Sequence, residues 1–391
     1  MELTELEPQT VQYCFPSKNG SCTKELRSTA VSVILYVSMF AVVILTLCGN
    51  LIVIISISHL KQLHTPTNLL VLSLAVADLL VGVFVMPFDM VKLIESCWVF
   101  GNLFCSFRNV FGFLLTSVSI SSLIFIAIDR YFAVFYPFLY SSKITLNIAL
   151  FCIVLSWLSS LCYNLSLFYF NGNSNDENLN TCLGDCFMLI NSTWGIIDLL
   201  VTFILPCSVM IILYAKIFVA AKKQAHAINS ITNQITFSNE TNRKTSQKSE
   251  WKAAKTLGIV VSVFLFCWIP YYIFIVIDGY TTFSVPLIVS NSLTWLVYCN
   301  SCINPIIYAF FYPWFQKSTK LILTFRISDP PSTVPVGPFL FPVSSSLGLD
   351  LGSLLVAVML RPPPESTSRL IVDKRLRSGF KFVPQQTTSL A

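Results

Sequence analysis

Residues 69–86 read LLVLSLAVADLLVGVFVM, and this stretch decides the class of fold. It contains one charged side chain, Asp78, and an apolar run of this length is typical of a helix that crosses a bilayer. The whole chain of 391 residues is 54% hydrophobic and only 11% charged, whereas roughly a quarter of the residues in soluble domains are charged. This composition excludes a soluble enzyme, a nucleic-acid-binding protein and a disordered chain.

Working outward from this run, seven stretches reach the length of about 20 mainly apolar residues that a bilayer requires. They are residues 30–58, 67–91, 104–136, 146–168, 194–220, 253–278 and 286–311. The sequence therefore predicts an all-α membrane protein, a bundle of seven transmembrane helices that occupies residues 30–311. The polar residues 1–29 are predicted to form an extracellular N-terminus.

The residues after the seventh stretch divide into two parts. Apolar side chains recur at helical spacing over 312–325, which predicts a short amphipathic helix lying on the membrane surface. Residues 326–391 contain two proline clusters and no strong apolar span, so we expect an atypical, disordered cytoplasmic tail.

The orientation of the bundle follows from its basic residues. With the N-terminus outside, only five of the 25 Lys and Arg residues lie on the outer side, and the loop between spans five and six is strongly basic. Because cytoplasmic loops carry an excess of Lys and Arg, we expect the N-terminus outside the cell and a multi-pass protein of the plasma membrane.

Asp78 lies in the middle of the second predicted span, where burial of a charge is costly and therefore indicates a function. Four polar side chains on the third and seventh spans accompany it: Ser119, Asn300, Ser301 and Asn304. Oxygen atoms of these types bind hard cations, so we predict a Na⁺ site. A polar network filled with water is the alternative.

The third predicted span ends with the neighbours Asp129 and Arg130. An arginine that is held by a carboxylate and can be released to another partner forms a two-state switch. Glu250, at the start of the sixth span, is a second candidate partner for Arg130. Proline removes a backbone hydrogen bond from spans six and seven, at Pro270 and Pro305, so we expect helix distortion there.

Six of the 13 cysteines lie outside or at the outer boundary, where disulfides persist: Cys14, Cys22, Cys97, Cys105, Cys182 and Cys186. A bond from Cys105 to either Cys182 or Cys186 would hold the second outer loop over the bundle. Asn19 begins an Asn-Gly-Ser sequon on the same side, which predicts glycosylation.

Signatures on all seven spans resemble those of rhodopsin-like G-protein-coupled receptors, in order: Asn50, Leu74–Asp78, Cys105, Asp129–Tyr131, Trp157, Pro206, Cys267–Pro270 and Asn304–Tyr308. Residues 300–315, NSCINPIIYAFFYPWF, resemble more specifically the trace amine-associated receptors, an amine-sensing family of olfactory receptors. Residues 19–22 and 181–186 are similar to that family as well. The resemblance covers about residues 14–323.

This resemblance implies two disulfides, Cys105–Cys186 and Cys22–Cys182, with Cys14 as an alternative partner in the second. It implies that Arg130 pairs with Glu250 in the inactive state.

The resemblance further implies that Tyr214 and Tyr308 help to hold the active state, together with the Asn304-Pro305 break. A heterotrimeric G protein of the stimulatory, cAMP-raising type is the partner that the family suggests. No enzymatic activity and no nucleic-acid partner are expected.

One departure from the family pattern decides the ligand site. Amine receptors of this superfamily usually hold the ligand ammonium with an aspartate seven residues after the span-three cysteine, but here that position is Gly112. Asp198, in the outer half of span five, is the replacement that we predict, as in one branch of the family. Thr202 lies four residues further on the same helical face. The alternative is a protonated or water-bridged Asp198 that is hydrogen-bonded to Thr202 or to a neighbouring helix.

Aromatic side chains are predicted to complete the site, because ring faces stabilise a cation. The candidates are Trp268, Tyr271 and Tyr272 on span six and Tyr298 on span seven. Phe187 is predicted to cap the pocket and Thr116 to line its floor.

The function expected from these residues is an olfactory receptor for small amines, in which ligand binding at Asp198 rearranges spans five to seven around Trp268 and Pro270. A rhodopsin-like receptor for a non-amine ligand is the main alternative. A membrane transporter is a weaker one, since the chain lacks repeat symmetry.

Overall fold

The computed structural model describes residues 11–172, 182–186, 192–232, 241–280, 287–311 and 313–324, with the side chains of most of them. The helices belong to one compact unit, Met1–Val334. The predicted tail at 326–391 lies outside the described residues.

Seven long helical stretches follow one another in the described residues, and we number them as spans one to seven. Their bounds are Thr29–His59; Pro66–Phe84 continued by Met86–Glu95; Gly101–Phe135; Leu146–Gly172; Ser192–Asp198 continued by Leu199–Ile204 and Leu205–Thr232; Thr241–Tyr280; and Leu287–Phe311. Shorter helices lie at Lys61–Leu63, Pro137–Lys143 and Pro313–Leu323. The predicted all-α fold is confirmed.

By length and composition, six of the described helices are able to cross a membrane, namely those of spans one to six. Span seven is more polar, with Asn291, Asn300 and Asn304 along its length. It nevertheless packs against spans one, two and six, while span three lies at the centre against spans two, four, five and six. We call the end of the bundle that carries residues 11–28 the outer end and the opposite end the inner end.

Two spans are less regular than the apolar pattern predicts. The helix of span two breaks at Val85, because Pro87 has no backbone N–H and its ring crowds the carbonyl four residues earlier. In span five, Leu199–Ile204 are wound as a π-helix directly after Asp198. Such bulges are frequent at functional sites.

The helix termini follow ordinary capping chemistry. Ser28 and Thr65 precede spans one and two, and their hydroxyls accept hydrogen bonds from Val31 N and Asn68 N. Each bond satisfies one of the free N–H groups in the first turn. Ser96 ends span two in the left-handed conformation, with φ 56°.

Spans one and seven approach closely at a glycine. A Cβ added to Gly49 would lie 2.8 Å from Pro305 Cβ, and Asn50 Nδ2 donates to the carbonyl of Ser301 at 3.1 Å. The absence of a side chain at Gly49 therefore lets the proline-containing segment of span seven pack directly on span one.

Three disulfides fasten the outer end. The structure joins Cys105 to Cys186 and Cys22 to Cys182, the two pairs that the resemblance implied. Cys14, the alternative partner of Cys182, is bonded instead to Cys97, which gives a third disulfide that we did not predict.

Backbone contacts add to these bonds around the N-terminal segment. Cys22 N donates to Leu183 O at 2.9 Å, and Trp98 N donates to Gly184 O at 2.7 Å. The first bond attaches the N-terminal segment to the second outer loop, and the second attaches the loop after span two to the same loop. Asn19 is exposed in this segment, so its predicted glycosylation site is accessible.

We predict that Gly49→Ala destabilises the receptor by about 1–3 kcal/mol, the usual cost of overpacking. The added methyl group would have to displace Pro305. Thermal unfolding of the detergent-solubilised protein measures the effect.

Gly112→Ala is the matched control, since only Val85 Cγ1, at 4.0 Å, lies near the added Cβ. Equal melting temperatures for the two variants would contradict the predicted close approach.

Candidate ligand site and activation switch

Asp198 lies in the interior of the bundle, as its predicted role requires. Its side chain stands where the first helix of span five passes into the π-helical segment, and the residue is 8% exposed. The hydroxyl of Tyr163, on span four, donates to Asp198 Oδ1 at 3.0 Å. Sequence reasoning did not identify Tyr163, because nothing in the sequence shows which face of span four meets span five.

Thr202 connects Asp198 to span six. Its hydroxyl donates to the backbone carbonyl of Asp198 at 2.7 Å and lies 3.3 Å from the hydroxyl of Tyr272. The predicted pair Asp198 and Thr202 is thus brought together, and Tyr272 joins it from the neighbouring helix.

Four aromatic rings form one cluster beside this site. Tyr272 stacks on Phe203 with ring centroids 4.0 Å apart, and it lies 5.7 Å from Trp268. Tyr271 contacts both Trp268 and Tyr272 edge to face. The three predicted residues of span six therefore pack together near Asp198, and Phe203 is an addition.

Asp198 has no cationic partner among the described residues. The ion pairs there involve other carboxylates, and the contact to Tyr163 is neutral. A phenol that donates to a carboxylate stabilises the charged form but leaves its negative charge uncompensated.

Tyr298 belongs to a different cluster from the one we predicted. Its hydroxyl donates to Asp89, and Arg108 forms an ion pair with the same carboxylate oxygen. Arg108 Nη2 also donates to the hydroxyl of Tyr298 at 3.1 Å.

Asp89 and Arg108 lie in the outer half of the bundle, and the sequence does not show that they are buried together. Asp89 is 6% exposed and Arg108 is largely buried. The sequence contains no signal for their pairing, because it depends on how spans two and three are rotated about their axes.

The remaining predicted pocket residues are less informative. Thr116 is half-buried on span three, and a Cβ added to Gly112, one turn further out, would meet only Val85 Cγ1, at 4.0 Å. Phe187, the predicted cap, lies outside the described residues.

Asp78 is fully buried and is held by span seven. Ser301 Oγ and Asn304 Nδ2 each donate to one of its carboxylate oxygens at 2.8 Å. Ser119 and Asn300, the other members of the predicted Na⁺ site, are also buried. Asn304 Oδ1 is buried without a hydrogen-bond partner among the described residues, so an acceptor oxygen is available beside the carboxylate.

Arg130 is held at the inner end of span three. Asp129 accepts hydrogen bonds from Arg130 Nε at 3.0 Å and Nη2 at 2.5 Å. Two hydroxyls complete the arrangement, since Arg130 Nη2 donates to Thr67 and to Tyr140, and Tyr140 donates to Asp129 Oδ1 at 3.0 Å.

Tyr140 lies on the short helix Pro137–Lys143, outside the membrane-spanning segments. Burial raises the pKa of its phenol, with Asp129 raising it further and Arg130 lowering it. The hydroxyl therefore keeps its proton near neutral pH and donates to Asp129.

The other predicted switch residues are placed as follows. Pro270 and Pro305 lie inside the helices of spans six and seven. Tyr308 is buried at 1% exposure, and Tyr214 is half-buried beside Gly258 of span six. The side chain of Glu250 lies outside the described residues, so its predicted bond to Arg130 stays a prediction.

Residues 49–308 match the family model of the 7 transmembrane receptor (rhodopsin family). Trace amine-associated receptor 13c of Danio rerio is 45% identical over 337 residues, which cover 85% of this chain and 98% of that receptor. The chain belongs to the trace amine-associated receptors.

Mammalian members of the family are similar to the same degree. Trace amine-associated receptor 7c of Rattus norvegicus is 44% identical over 82% of this chain and 91% of its own length. For trace amine-associated receptor 9 of Mus musculus the identity is 45%, over 81% of this chain and 92% of the relative.

Membership of the trace amine-associated receptors confirms the predicted family and defines the general function of the protein. This receptor is a multi-pass membrane protein whose partners are a small-molecule ligand and a heterotrimeric G protein. The family consists of receptors and not of enzymes.

We predict that Tyr140→Phe raises ligand-independent signalling several-fold at equal surface expression. The substitution removes one hydrogen bond to Arg130 and one to Asp129. Each is worth about 1 kcal/mol or more, so the fraction of receptor with a released arginine should rise. G-protein activation in transfected cells, measured without ligand, gives the result.

Ser141→Ala is the control, since it removes an exposed hydroxyl that bonds within the same helix to Phe138 O. Unchanged basal signalling in Tyr140→Phe would show that Tyr140 does not restrain Arg130.

Proposed function

We propose that this receptor detects small amines, whose ammonium group pairs with the carboxylate of Asp198. The observation that carries the proposal is a buried carboxylate with a hydroxyl donor but no cationic partner among the described residues. An unpaired charge in a low-dielectric interior is unfavourable by several kcal/mol, and an ammonium ion from outside would relieve that cost.

The surroundings of Asp198 support a cation over a neutral ligand. Trp268, Tyr271 and Tyr272 offer aromatic rings that stabilise an ammonium by about 0.5–2 kcal/mol each. Thr202 links Tyr272 to the backbone of Asp198, so ligand binding on span five is mechanically connected to span six.

Movement of span six would transmit ligand binding at Asp198 to the inner end of the bundle. Trp268 packs against Phe264 one turn further in, and Pro270 interrupts the backbone hydrogen bonding of the same helix. The ligand must bind the active arrangement more tightly than the resting one, since only such a difference in affinity shifts the population. Release of Arg130 from Asp129 then makes it available to the G protein.

We propose further that the receptor serves olfaction, acts through a stimulatory G protein and cAMP, and resides in the plasma membrane with the N-terminus outside. Three disulfides at the outer end support this orientation, because disulfides persist in oxidising compartments. The basic residues between spans five and six support it as well.

A receptor for a non-amine ligand is the second candidate. The hydrogen bond from Tyr163 to Asp198 favours it, because a carboxylate with a built-in partner need not meet a ligand.

We also propose a Na⁺ ion between spans two, three and seven. The oxygen atoms that would bind the ion belong to Asp78, Ser119, Ser301 and Asn304, and oxygen ligands suit a hard cation. In that position the ion would supply the positive charge that Asp78 lacks and would link spans two and seven.

We expect Asp198→Asn to reduce the potency of primary amines by on the order of 30- to 5,000-fold, which corresponds to a loss of about 2–5 kcal/mol for a buried charge pair. A panel of volatile amines applied to cells with a cAMP reporter measures the change. Surface expression is matched by antibody staining, and Glu25→Gln, on an exposed carboxylate, is the control.

Tyr163→Phe separates the two candidate functions. If the Tyr163 hydroxyl keeps its contact to Asp198 when an ammonium binds, its removal should change potency by less than about tenfold. If Tyr163→Phe and Asp198→Asn lose the same response, Asp198 is a structural partner of Tyr163 and the amine site is disproved.

For the ion site, we expect Na⁺ to stabilise the ligand-free receptor against heat, by about 1.4 kcal/mol at ten times its dissociation constant. Replacing Na⁺ by K⁺ should lower the melting temperature of the original receptor and of Asp198→Asn, but not that of Asp78→Asn. An equal response of all three proteins would contradict the site.

A further inference from the structure

A second buried polar cluster lies on spans two, three and seven, apart from Asp198. Arg108 forms an ion pair with Asp89, and Tyr298 bonds to both of them. Trp295, Met86 and Leu115 belong to the apolar cluster on which Tyr298 packs. The ring of Tyr298 is therefore packed against apolar residues while its hydroxyl contacts the ion pair.

The cluster leaves hydrogen-bonding capacity unused. Asp89 Oδ1 and Arg108 Nε are buried and have no hydrogen-bond partner among the described residues. Buried polar atoms of this kind are rare in folded proteins, because leaving them unpaired is unfavourable. One atom is an acceptor and the other is a donor, so a group that both donates and accepts matches the two in kind.

The cluster lies one helical turn from Gly112, a position that has no side chain. Val85 and Asp89 are four residues apart on span two, and Arg108 and Gly112 are four apart on span three, so each pair lies on one helical face. A Cβ at Gly112 would find only Val85 Cγ1, at 4.0 Å. The space left by Gly112 is thus one turn inward of the ion pair.

Tyr271, on span six, is close enough to both polar sites for their charges to act on its phenol. The phenol of Tyr271 interacts both with Asp89 and Arg108 and with Asp198. Tyr271 also packs against Trp268 and Tyr272 of the aromatic cluster. A ligand that spans the two polar sites would therefore lie beside Tyr271.

Charge determines what this cluster can accept. Asp89 and Arg108 together carry no net charge, so a second ammonium would meet Arg108 and a carboxylate would meet Asp89 as a like charge. Either ion would lose its hydration without a net opposite charge in return. A hydroxyl group avoids this cost, because it is neutral and it donates and accepts.

We propose that Asp89, Arg108 and Tyr298 form a second ligand subsite that binds the hydroxyl group of an amino alcohol whose ammonium pairs with Asp198. This inference rests on the proposed amine function. It names hydroxylated monoamines as the preferred ligand class, and it gives the ion pair the task of rejecting diamines and amino acids.

The test compares four ligand series that share a carbon chain of three to seven atoms. They are n-alkylamines, the corresponding amino alcohols with a terminal hydroxyl, terminal diamines and amino acids with a terminal carboxylate. On the original receptor, the best amino alcohol should be about tenfold or more as potent as the alkylamine of equal length, as expected for hydrogen bonds to charged groups. The diamine and the amino acid should be weaker than the amino alcohol.

Two variants of the ion pair make the test specific. Asp89→Val combined with Arg108→Met replaces the buried pair by apolar side chains, a change that is often neutral for folding. It should keep the alkylamine response and abolish the advantage of the hydroxyl. Arg108→Met alone leaves Asp89 unpaired, so it should favour the diamine. Surface staining and the alkylamine response report that each variant is folded.

The possible results distinguish failure of the second subsite from failure of the proposed amine function. If alkylamine and amino alcohol act equally on the original receptor and both lose their effect in Asp198→Asn, the amine function stands and the second subsite is wrong. A hydroxyl advantage that persists in the double variant also overturns the subsite, and the unpaired atoms then bind water only. If no amine acts, or if Asp198→Asn changes nothing, the proposed function fails and this inference fails with it.

Discussion

A carboxylate inside a membrane-spanning bundle keeps its charge only where something compensates it, and this constraint organises the receptor. Asp78, Asp89, Asp129 and Asp198 are all less than a tenth exposed. Two of them are neutralised by the protein itself, Asp89 by Arg108 and Asp129 by Arg130. Asp78 and Asp198 have hydrogen-bond donors but no basic partner among the described residues.

This division separates two kinds of site. The self-compensated carboxylates hold an arginine, one at the outer end and one at the inner end, and each pair is also contacted by a tyrosine hydroxyl. The two uncompensated carboxylates are the places where a cation from outside is most stabilised, which is why we assign one to Na⁺ and the other to the ligand ammonium. Span three carries Asp129 and packs against spans two and five, which carry the other three carboxylates, so it is positioned to connect the sites.

The outer end constrains how a ligand reaches these sites. Three disulfides attach the N-terminal segment, the loop after span two and the second outer loop to one another or to span three. Lys92 donates to the carbonyl of Cys186 and lies 3.9 Å from Asp185, which adds a polar contact between span two and the second outer loop. On the proposed function, the ligand enters from an end whose segments are covalently held, while the inner end depends on hydrogen bonds that can be exchanged.

The sequence by itself determined what depends on local composition. Apolar length located the spans, since the cost of burying polar groups in lipid applies to each segment separately. Counting seven residues from Cys105 showed that Gly112 occupies the usual position of the amine-binding aspartate. Because acidic residues are scarce in the spans, Asp198 and Asp78 could be identified as candidate sites. Only the tertiary structure decided which faces of the helices meet.

The structure places Tyr298 beside Asp89 and not, as we predicted, beside Asp198. It also places Tyr163 beside Asp198 and joins Cys14 to Cys97. Partners of this kind lie on different helices, and their meeting depends on helix rotation, depth and the local breaks at Val85 and after Asp198. Those quantities arise from packing among all the spans, so no single stretch of the chain encodes them.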